Sequence, residues 1–345
     1  MVPIQTLYHP GLSCGRLHRR MLAARLLLRN LGITPRRIYP ERCHTSQGHP
    51  YDLYKPSRLV HHTLLMVYGF TLAGEKEFRL VRFAQTFAAA GFRVVVPDLP
   101  GLKSLDLVMG DLELLINMIT YLHSESAGSI GLIGFSVGGG IALTAAASPM
   151  LRGYVDPILL FGSHYSLPDL WAGMRKTEGG IPKSKDAWDD FIWWQFVLAY
   201  RQRQAIGFNA IEEAEIVDLL TTYCYKTSLE RKREAYERLV QPHGLLDTRC
   251  EEMDSDVMEC LSPRGKLGML LARVLVLHDS HDPLIPPSQS RSMLTELQQR
   301  GIPHGERLVI TPLLSHVSPR AVLGLPDLLA ILDVVGELLS GSSSV

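Results

Sequence analysis

The stretch that most constrains the fold of this chain is Gly134-Phe135-Ser136-Val137-Gly138, because it joins a predicted strand to a predicted helix. An apolar run ending at Ile133 predicts a buried strand, and the small residues from Ile141 to Ala147 are compatible with a helix. A serine at such a junction, with glycines two residues before and after it, fits the G-x-S-x-G pattern of a nucleophile elbow. The same pattern also occurs in ordinary Gly/Ser-rich turns. A nucleophile at Ser136 therefore requires a base, an orienting acid and an oxyanion hole elsewhere in the chain.

Length and composition indicate a globular protein with a sizeable core. The chain has 345 residues, of which 46% are hydrophobic and 20% charged, which is typical of one large domain with an insertion or of two domains. The formal net charge is zero, so we expect no nucleic-acid partner bound by bulk electrostatics. The five cysteines form no C-x-x-C pair, which favours reduced thiols in a cytoplasmic protein over a metal site or disulfides; they are Cys14, Cys43, Cys224, Cys250 and Cys260.

The N-terminal forty residues are basic, with seven arginines and no acidic residue. Arg16 to Leu31 has the spacing of an amphipathic helix. Three interpretations compete: a helix packed against the body with a solvated basic face, an organellar transit peptide, or a helix lying peripherally on an anionic membrane. Cytoplasmic localisation is the leading expectation, and the sequence leaves the oligomeric state open.

Apolar runs alternate with helical patterns along most of the chain, which predicts a doubly wound, mostly parallel α/β sheet. An antiparallel hairpin, Arg37 to Glu41 and Tyr51 to Tyr54, is expected to enter this sheet. The alternation stops near Pro168 and resumes near Gly268, and all four tryptophans fall early in this interval. The predicted organisation is a basic helical segment (1–36), a core (37–167 and 269–340), a helical cap insertion (168–268) and a flexible tail (341–345).

Polar residues follow several predicted strands, where open parallel sheets bind their ligands. His316 lies in the loop after the strand ending at Thr311, where an imidazole can reach back to a serine as general base. Two carboxylates compete to orient that imidazole: Asp282 precedes a proline turn, and Asp279 lies at the same strand end. The order Ser, Asp, His agrees with the pattern that accompanies G-x-S-x-G.

Two backbone N–H groups are needed to stabilise an oxyanion. Val137, directly after the serine, is the first candidate, and Phe70, after the strand ending at Tyr68, is the second, with Thr71 as its alternative. A cap rich in aromatic residues is either ordinary packing or an apolar cover for a substrate. The candidates for substrate contact are Phe135, Trp171 and Trp193.

With these residues in place, the chain from about Arg37 to Leu339 resembles the α/β-hydrolase fold family. The resemblance rests on Tyr68-Gly69-Phe70, Pro97-Asp98-Leu99-Pro100-Gly101, the elbow, Asp279-Ser280-His281-Asp282-Pro283 and Ser315-His316. It implies Ser136 as nucleophile, His316 as base and Asp282 as acid, with no metal or organic cofactor. Family members commonly have His in place of Tyr68 and Gly in place of Asp279.

The function expected from this resemblance is hydrolysis of a small-molecule carboxylic ester or thioester with an apolar acyl part, through an acyl-enzyme. Two alternatives use the same chain differently. The first is acyl transfer to an alcohol other than water. The second is a binding protein that has kept the fold and lost turnover, an alternative that the departures at Tyr68 and Asp279 leave open.

Overall fold

The computed structural model describes residues 19–21, 23–26, 38–56, 62–126, 128–176, 185–222, 228–243, 254–282, 284–302, 305–319 and 324–339. An eight-stranded sheet with the order β1-β2-β4-β3-β5-β6-β7-β8 forms its centre. The β1–β2 and β2–β4 pairs are antiparallel and the other pairs are parallel, which confirms the predicted sheet. The strands are β1 (Glu41–His44), β2 (Pro50–Tyr54), β3 (Thr63–Val67), β4 (Arg93–Pro97), β5 (Ile130–Phe135), β6 (Val155–Phe161), β7 (Val274–Asp279) and β8 (Glu306–Thr311).

Helices connect the parallel strands and cover the sheet, so β3 and β7 are buried along their whole length. A short hairpin, β9 (Leu314–Ser315) and β10 (Ser318–Pro319), follows β8. The described helices are α1 (Phe78–Ala89), α2 (Pro100–Lys103), α3 (Met109–Ser124), α4 (Ser136–Ala146), α5 (Leu167–Lys176), α6 (Lys185–Arg201), α7 (Arg203–Ile206), α8 (Ala210–Thr222), α9 (Leu229–Ala235), α10 (Ser255–Leu261), α11 (Pro287–Gln298) and α12 (Leu325–Leu339), with a π-helical turn Tyr236–Val240 after α9.

The first strand of the entering hairpin begins later than predicted, at Glu41 instead of Arg37. A turn closed by the Thr45 N–H and the His49 carbonyl, with Gly48 at a φ of +85°, sets the register of this hairpin. Arg42 is thereby directed toward Asp52. The turn and this ion pair fix which residues form the strand.

The interval between β6 and β7 is helical in its described parts and contains α5 to α10. Its helices α6, α8 and α9, with the π-helical turn, share an apolar cluster separate from the core of the sheet. We call it the insertion cluster: Ile192, Phe196, Ala199, Ile216, Leu219, Ala235, Leu239 and Val240. The insertion therefore has an apolar core of its own.

The described part of the basic N-terminal segment is helical and packs against α12. Ala23 and Leu26 are buried in the main core, and the Arg20 guanidinium forms two hydrogen bonds with Asp333, at 2.5 and 2.9 Å. Most of segment 1–36 and the predicted tail 341–345 lie outside the described residues. Among the helices that the structure describes, none combines the length and apolar character needed to cross a membrane.

Candidate active site

The turn between β5 and α4 is strained at Ser136, whose φ is +52°. Glycines make this turn possible. A Cβ on Gly134 would lie 2.5 Å from the Gly139 Cα, and one on Gly138 would lie 1.7 Å from the Tyr68 carbonyl oxygen. Because those neighbours are backbone atoms of α4 and of the loop after β3, no larger residue fits without moving the backbone. The turn thus keeps Ser136 at the carboxyl edge of the sheet.

His316 joins Ser136 to Asp282 through two hydrogen bonds. The distance from Nε2 of His316 to Oγ of Ser136 is 2.8 Å, and the distance from its Nδ1 to Oδ2 of Asp282 is 2.6 Å. His316 lies in the two-residue connection between β9 and β10, with a φ of +53°. The structure thus brings together, in one hydrogen-bonded chain, the three residues that the sequence analysis selected.

Asp282 is buried and held from two directions. Its Oδ1 accepts hydrogen bonds from the backbone N–H groups of Leu284 and Ile285, each at 3.0 Å, and its Oδ2 faces His316. Burial alone would raise the pKa of this carboxyl group, but the charge of His316 and hydrogen bonds from His278 and His316 outweigh it and lower the pKa below its ordinary value. Asp282 is therefore ionised at neutral pH.

Asp279, the competing carboxylate, contacts the backbone of His316. Its Oδ2 accepts the His316 N–H at 3.1 Å, and its Oδ1 accepts the His281 N–H at 3.0 Å. The side chain is fully buried. This geometry leaves the orientation of the imidazole to Asp282 and gives Asp279 a role in holding the strained backbone of His316.

The candidate oxyanion donors lie on either side of Ser136. Val137 is in the first turn of α4, whose N–H groups and positive dipole end favour negative charge. A Cβ on Gly69 would lie 2.8 Å from the Ser136 Cβ, so the absence of a side chain brings the loop after β3 close to the serine. Thr71, the alternative donor, gives its N–H to the Leu102 carbonyl at 3.3 Å, which favours Phe70.

Tyr68 and Gly162 support this site in ways that the sequence analysis did not identify. The Tyr68 hydroxyl accepts the Leu99 N–H at 2.7 Å, so it braces the loop after β3 against the loop after β4. Gly162, directly after β6, has a φ of +50°, and a Cβ there would lie 3.2 Å from both Asp282 Oδ2 and His316 Nδ1. The sequence signal that could have pointed to Gly162 is its position directly after a predicted strand.

The structure places the three aromatic candidates for substrate contact in different surroundings. Phe135 stacks on Phe161 with ring centroids 5.0 Å apart, inside an aromatic group of the core. Trp171 packs against the main core from α5, and Trp193 stacks on Trp194 at 5.5 Å. Trp194, which was not selected, contacts Phe70 with ring centroids 6.2 Å apart. It connects the insertion with the loop of the candidate oxyanion donor.

A strained serine turn at the carboxyl edge of a mostly parallel sheet, joined to a histidine and a carboxylate from later strand ends, defines the α/β-hydrolase class. The sequence model of the Alpha/beta hydrolase family matches residues 68–330, and the chain belongs to this family. The family supports hydrolase activity. In the described parts of the chain, His, Cys, Asp and Glu residues form no group of three or more that could hold a metal ion.

Solved structures of related fold include several hydrolases. The 2,6-dihydroxy-pseudo-oxynicotine hydrolase has a TM-score of 0.50 and 17% identity, with 87% of this chain and 67% of that chain covered. An acylaminoacyl peptidase of Pyrococcus horikoshii has a TM-score of 0.49 and 14% identity. The match covers 83% of this chain and 39% of the peptidase chain. A meta-cleavage product hydrolase of Pseudomonas fluorescens IP01 has a TM-score of 0.47 and 16% identity, with 88% of this chain and 98% of that chain covered. A search of curated protein sequences finds no match. At these identities the likeness shows the fold alone.

Proposed function

We propose that this protein is a serine hydrolase that cleaves a carboxylic ester or thioester with an apolar acyl part. The observation that carries the proposal is the hydrogen-bonded chain from Ser136 through His316 to Asp282. An ionised carboxylate can only accept hydrogen bonds, so the hydrogen of a neutral His316 ring lies on Nδ1. Nε2 is then free to take the proton of the Ser136 hydroxyl.

The reaction follows from that tautomer. The Ser136 oxygen attacks the substrate carbonyl while His316 accepts its proton, and the Val137 and Phe70 N–H groups stabilise the developing oxyanion. His316 then gives the proton to the leaving alcohol or thiol, which leaves the acyl group on Ser136. A water molecule, activated by the same histidine, releases the acid and restores the serine.

The apolar acyl preference is supported by the aromatic contact between Phe70 and Trp194. Aromatic side chains offer a large apolar surface to a substrate, and Phe70 also carries the backbone N–H proposed as the second oxyanion donor. An acyl chain bound there would extend from the reacting carbonyl toward the insertion.

A fluorophosphonate probe tests the nucleophile. We expect labelling of the wild-type protein, loss of labelling in Ser136→Ala, and full labelling in the matched control Ser104→Ala, an exposed serine outside the site. An unlabelled wild-type protein would contradict the proposal.

A series of p-nitrophenyl esters and acyl-CoA thioesters of increasing chain length tests the substrate class. We expect kcat/KM to rise with acyl length, because each buried methylene contributes about 0.8 kcal/mol. Trp194→Ala should lower kcat/KM for esters of long acyl chains. Its kcat/KM for the acetate ester should stay unchanged and serves as an internal control. A preference for short or charged acyl groups would refute the apolar assignment.

A further inference from the structure

A second histidine, His278, lies behind the Asp282 carboxylate and takes no part in the steps above. It is fully buried near the end of β7. Its Nε2 is 2.7 Å from the Ile285 carbonyl oxygen and 3.5 Å from Asp282 Oδ2. Its Nδ1 is 2.6 Å from the Ser290 hydroxyl of α11. The Asp282 side chain is therefore flanked by two imidazoles.

The partners of His278 determine where its hydrogen lies. A carbonyl oxygen can only accept, so the hydrogen bond to Ile285 requires a hydrogen on Nε2. In the neutral ring Nδ1 then accepts, and the Ser290 hydroxyl donates to it. The ring thus directs an N–H at Ile285 and at the side of Asp282.

The backbone of Ile285 connects His278 to the carboxylate through two successive peptide groups. Its carbonyl accepts from His278, and its N–H donates to Asp282 Oδ1 at 3.0 Å. Asp282 Oδ1, which the Ile285 N–H holds, belongs to the carboxylate that contacts His316, so a displacement of the Ile285 backbone would rotate this carboxylate. We propose that His278, itself held by Ser290, is a positioning residue that fixes Asp282 against His316; this inference rests on the proposed function.

The expected effect is on the chemical step. Asp282 stabilises the charged imidazole that forms in the transition state, so its misplacement lowers kcat and leaves KM unchanged. A displacement of about 1 Å at a positioning group can cost about a hundredfold in rate. We expect His278→Leu to lower kcat of p-nitrophenyl butyrate hydrolysis by about tenfold to a hundredfold.

Three variants separate positioning from simple packing. His278→Gln can place an amide N–H near the position of Nε2, so it should keep most of kcat. His278→Leu removes the donor, and His44→Leu makes the same change at an exposed position of β1 and should have no effect. Ser290→Ala should give a smaller fall in kcat in the same direction, and serves if His278→Leu does not fold. Equal losses in the Gln and Leu variants would overturn the proposal.

A double-mutant cycle tests whether His278 acts through Asp282. In an Asp282→Asn background, His278→Leu should have no further effect on kcat, because residues that act through one another are not additive. The same loss in both backgrounds would show that His278 acts independently of Asp282 and would refute the proposal.

An NMR titration of the His316 ring protons needs no substrate. A carboxylate held 2.6 Å from the ring raises the histidine pKa, so His278→Leu should lower the pKa of His316, and His44→Leu should leave it unchanged. An unchanged pKa in His278→Leu would refute the positioning role. If Ser136 proves unreactive toward every probe, the proposed function fails, and this titration still reports whether His278 positions Asp282.

Discussion

Replacement of Asp282 by asparagine tests the proposed chemistry directly, because the structure determines how the amide must lie. Oδ1 of Asp282 accepts two backbone N–H groups, and Oδ2 faces His316. An amide has one oxygen, and turning it toward His316 would leave both backbone donors against an NH2 group. The oxygen therefore stays with the backbone, and the NH2 group faces the imidazole.

The consequence is the wrong tautomer of His316. Facing an NH2 group, Nδ1 must accept, so the ring hydrogen moves to Nε2, which then cannot take the proton of Ser136. The corresponding change in a serine protease lowers kcat about 10⁴-fold, which is about 5 kcal/mol of transition-state stabilisation. We expect a fall of this order for Asp282→Asn, measured as kcat on p-nitrophenyl butyrate, with KM little changed.

Asp279→Asn is the matched control, since it makes the same change at the other carboxylate of this strand end. Asp279 contacts the His316 loop through a backbone N–H, whereas Nδ1 of the ring faces Asp282, so replacement of Asp279 disturbs the loop without changing the tautomer. A fall of about tenfold to a hundredfold is expected. A loss at Asp279 equal to or larger than that at Asp282 would refute the assignment of the acid.

Three further predictions concern stability. Tyr68→Phe leaves the buried Leu99 N–H without its acceptor and should cost about 1–3 kcal/mol in urea unfolding; an unchanged unfolding midpoint would argue against the brace. Burial lowers the pKa of His164 in the folded protein to about 4. Between about pH 6.5 and 4, His164 is therefore protonated in the unfolded chain and neutral in the folded one, so a fall in pH favours unfolding. Over this range the wild type should lose up to about 1.4 kcal/mol of stability per pH unit more than His164→Leu does, and parallel slopes in urea titrations would contradict this. Arg20→Ala should cost about 1.5 kcal/mol, because a second arginine remains near Asp333; calorimetry showing no loss would refute the docking of the N-terminal helix.

The sheet was predictable because its parallel strands are buried on both faces and appear as short apolar runs, such as Thr63 to Val67. The candidate site was predictable for a topological reason. The carboxyl ends of parallel strands meet at one edge, so polar residues after β5, β7 and β8 become neighbours although they are far apart in sequence. Chain order and strand ends thus pointed to Ser136, His316 and a carboxylate after β7 as neighbours.

The remaining features depend on three-dimensional relations that chain order does not carry. Whether Asp279 or Asp282 faces the ring depends on the path of a few loop residues. His278 ends an apolar run, and only the approach of Ser290 and Ile285 gives it polar partners. The choice of Trp194 over Trp193 depends on how α6 is rotated about its axis, which the distribution of aromatic residues does not determine.

The insertion cluster, centred on residues such as Phe196 and Leu219, has a consequence for local unfolding. Because these helices share an apolar cluster apart from the core of the sheet, we expect them to open as a cooperative unit while the sheet stays folded. The frequency of such openings is set by the local free energy of the cluster. A substitution in the cluster should therefore speed amide hydrogen exchange in the insertion and leave exchange in the buried strands of the sheet unchanged.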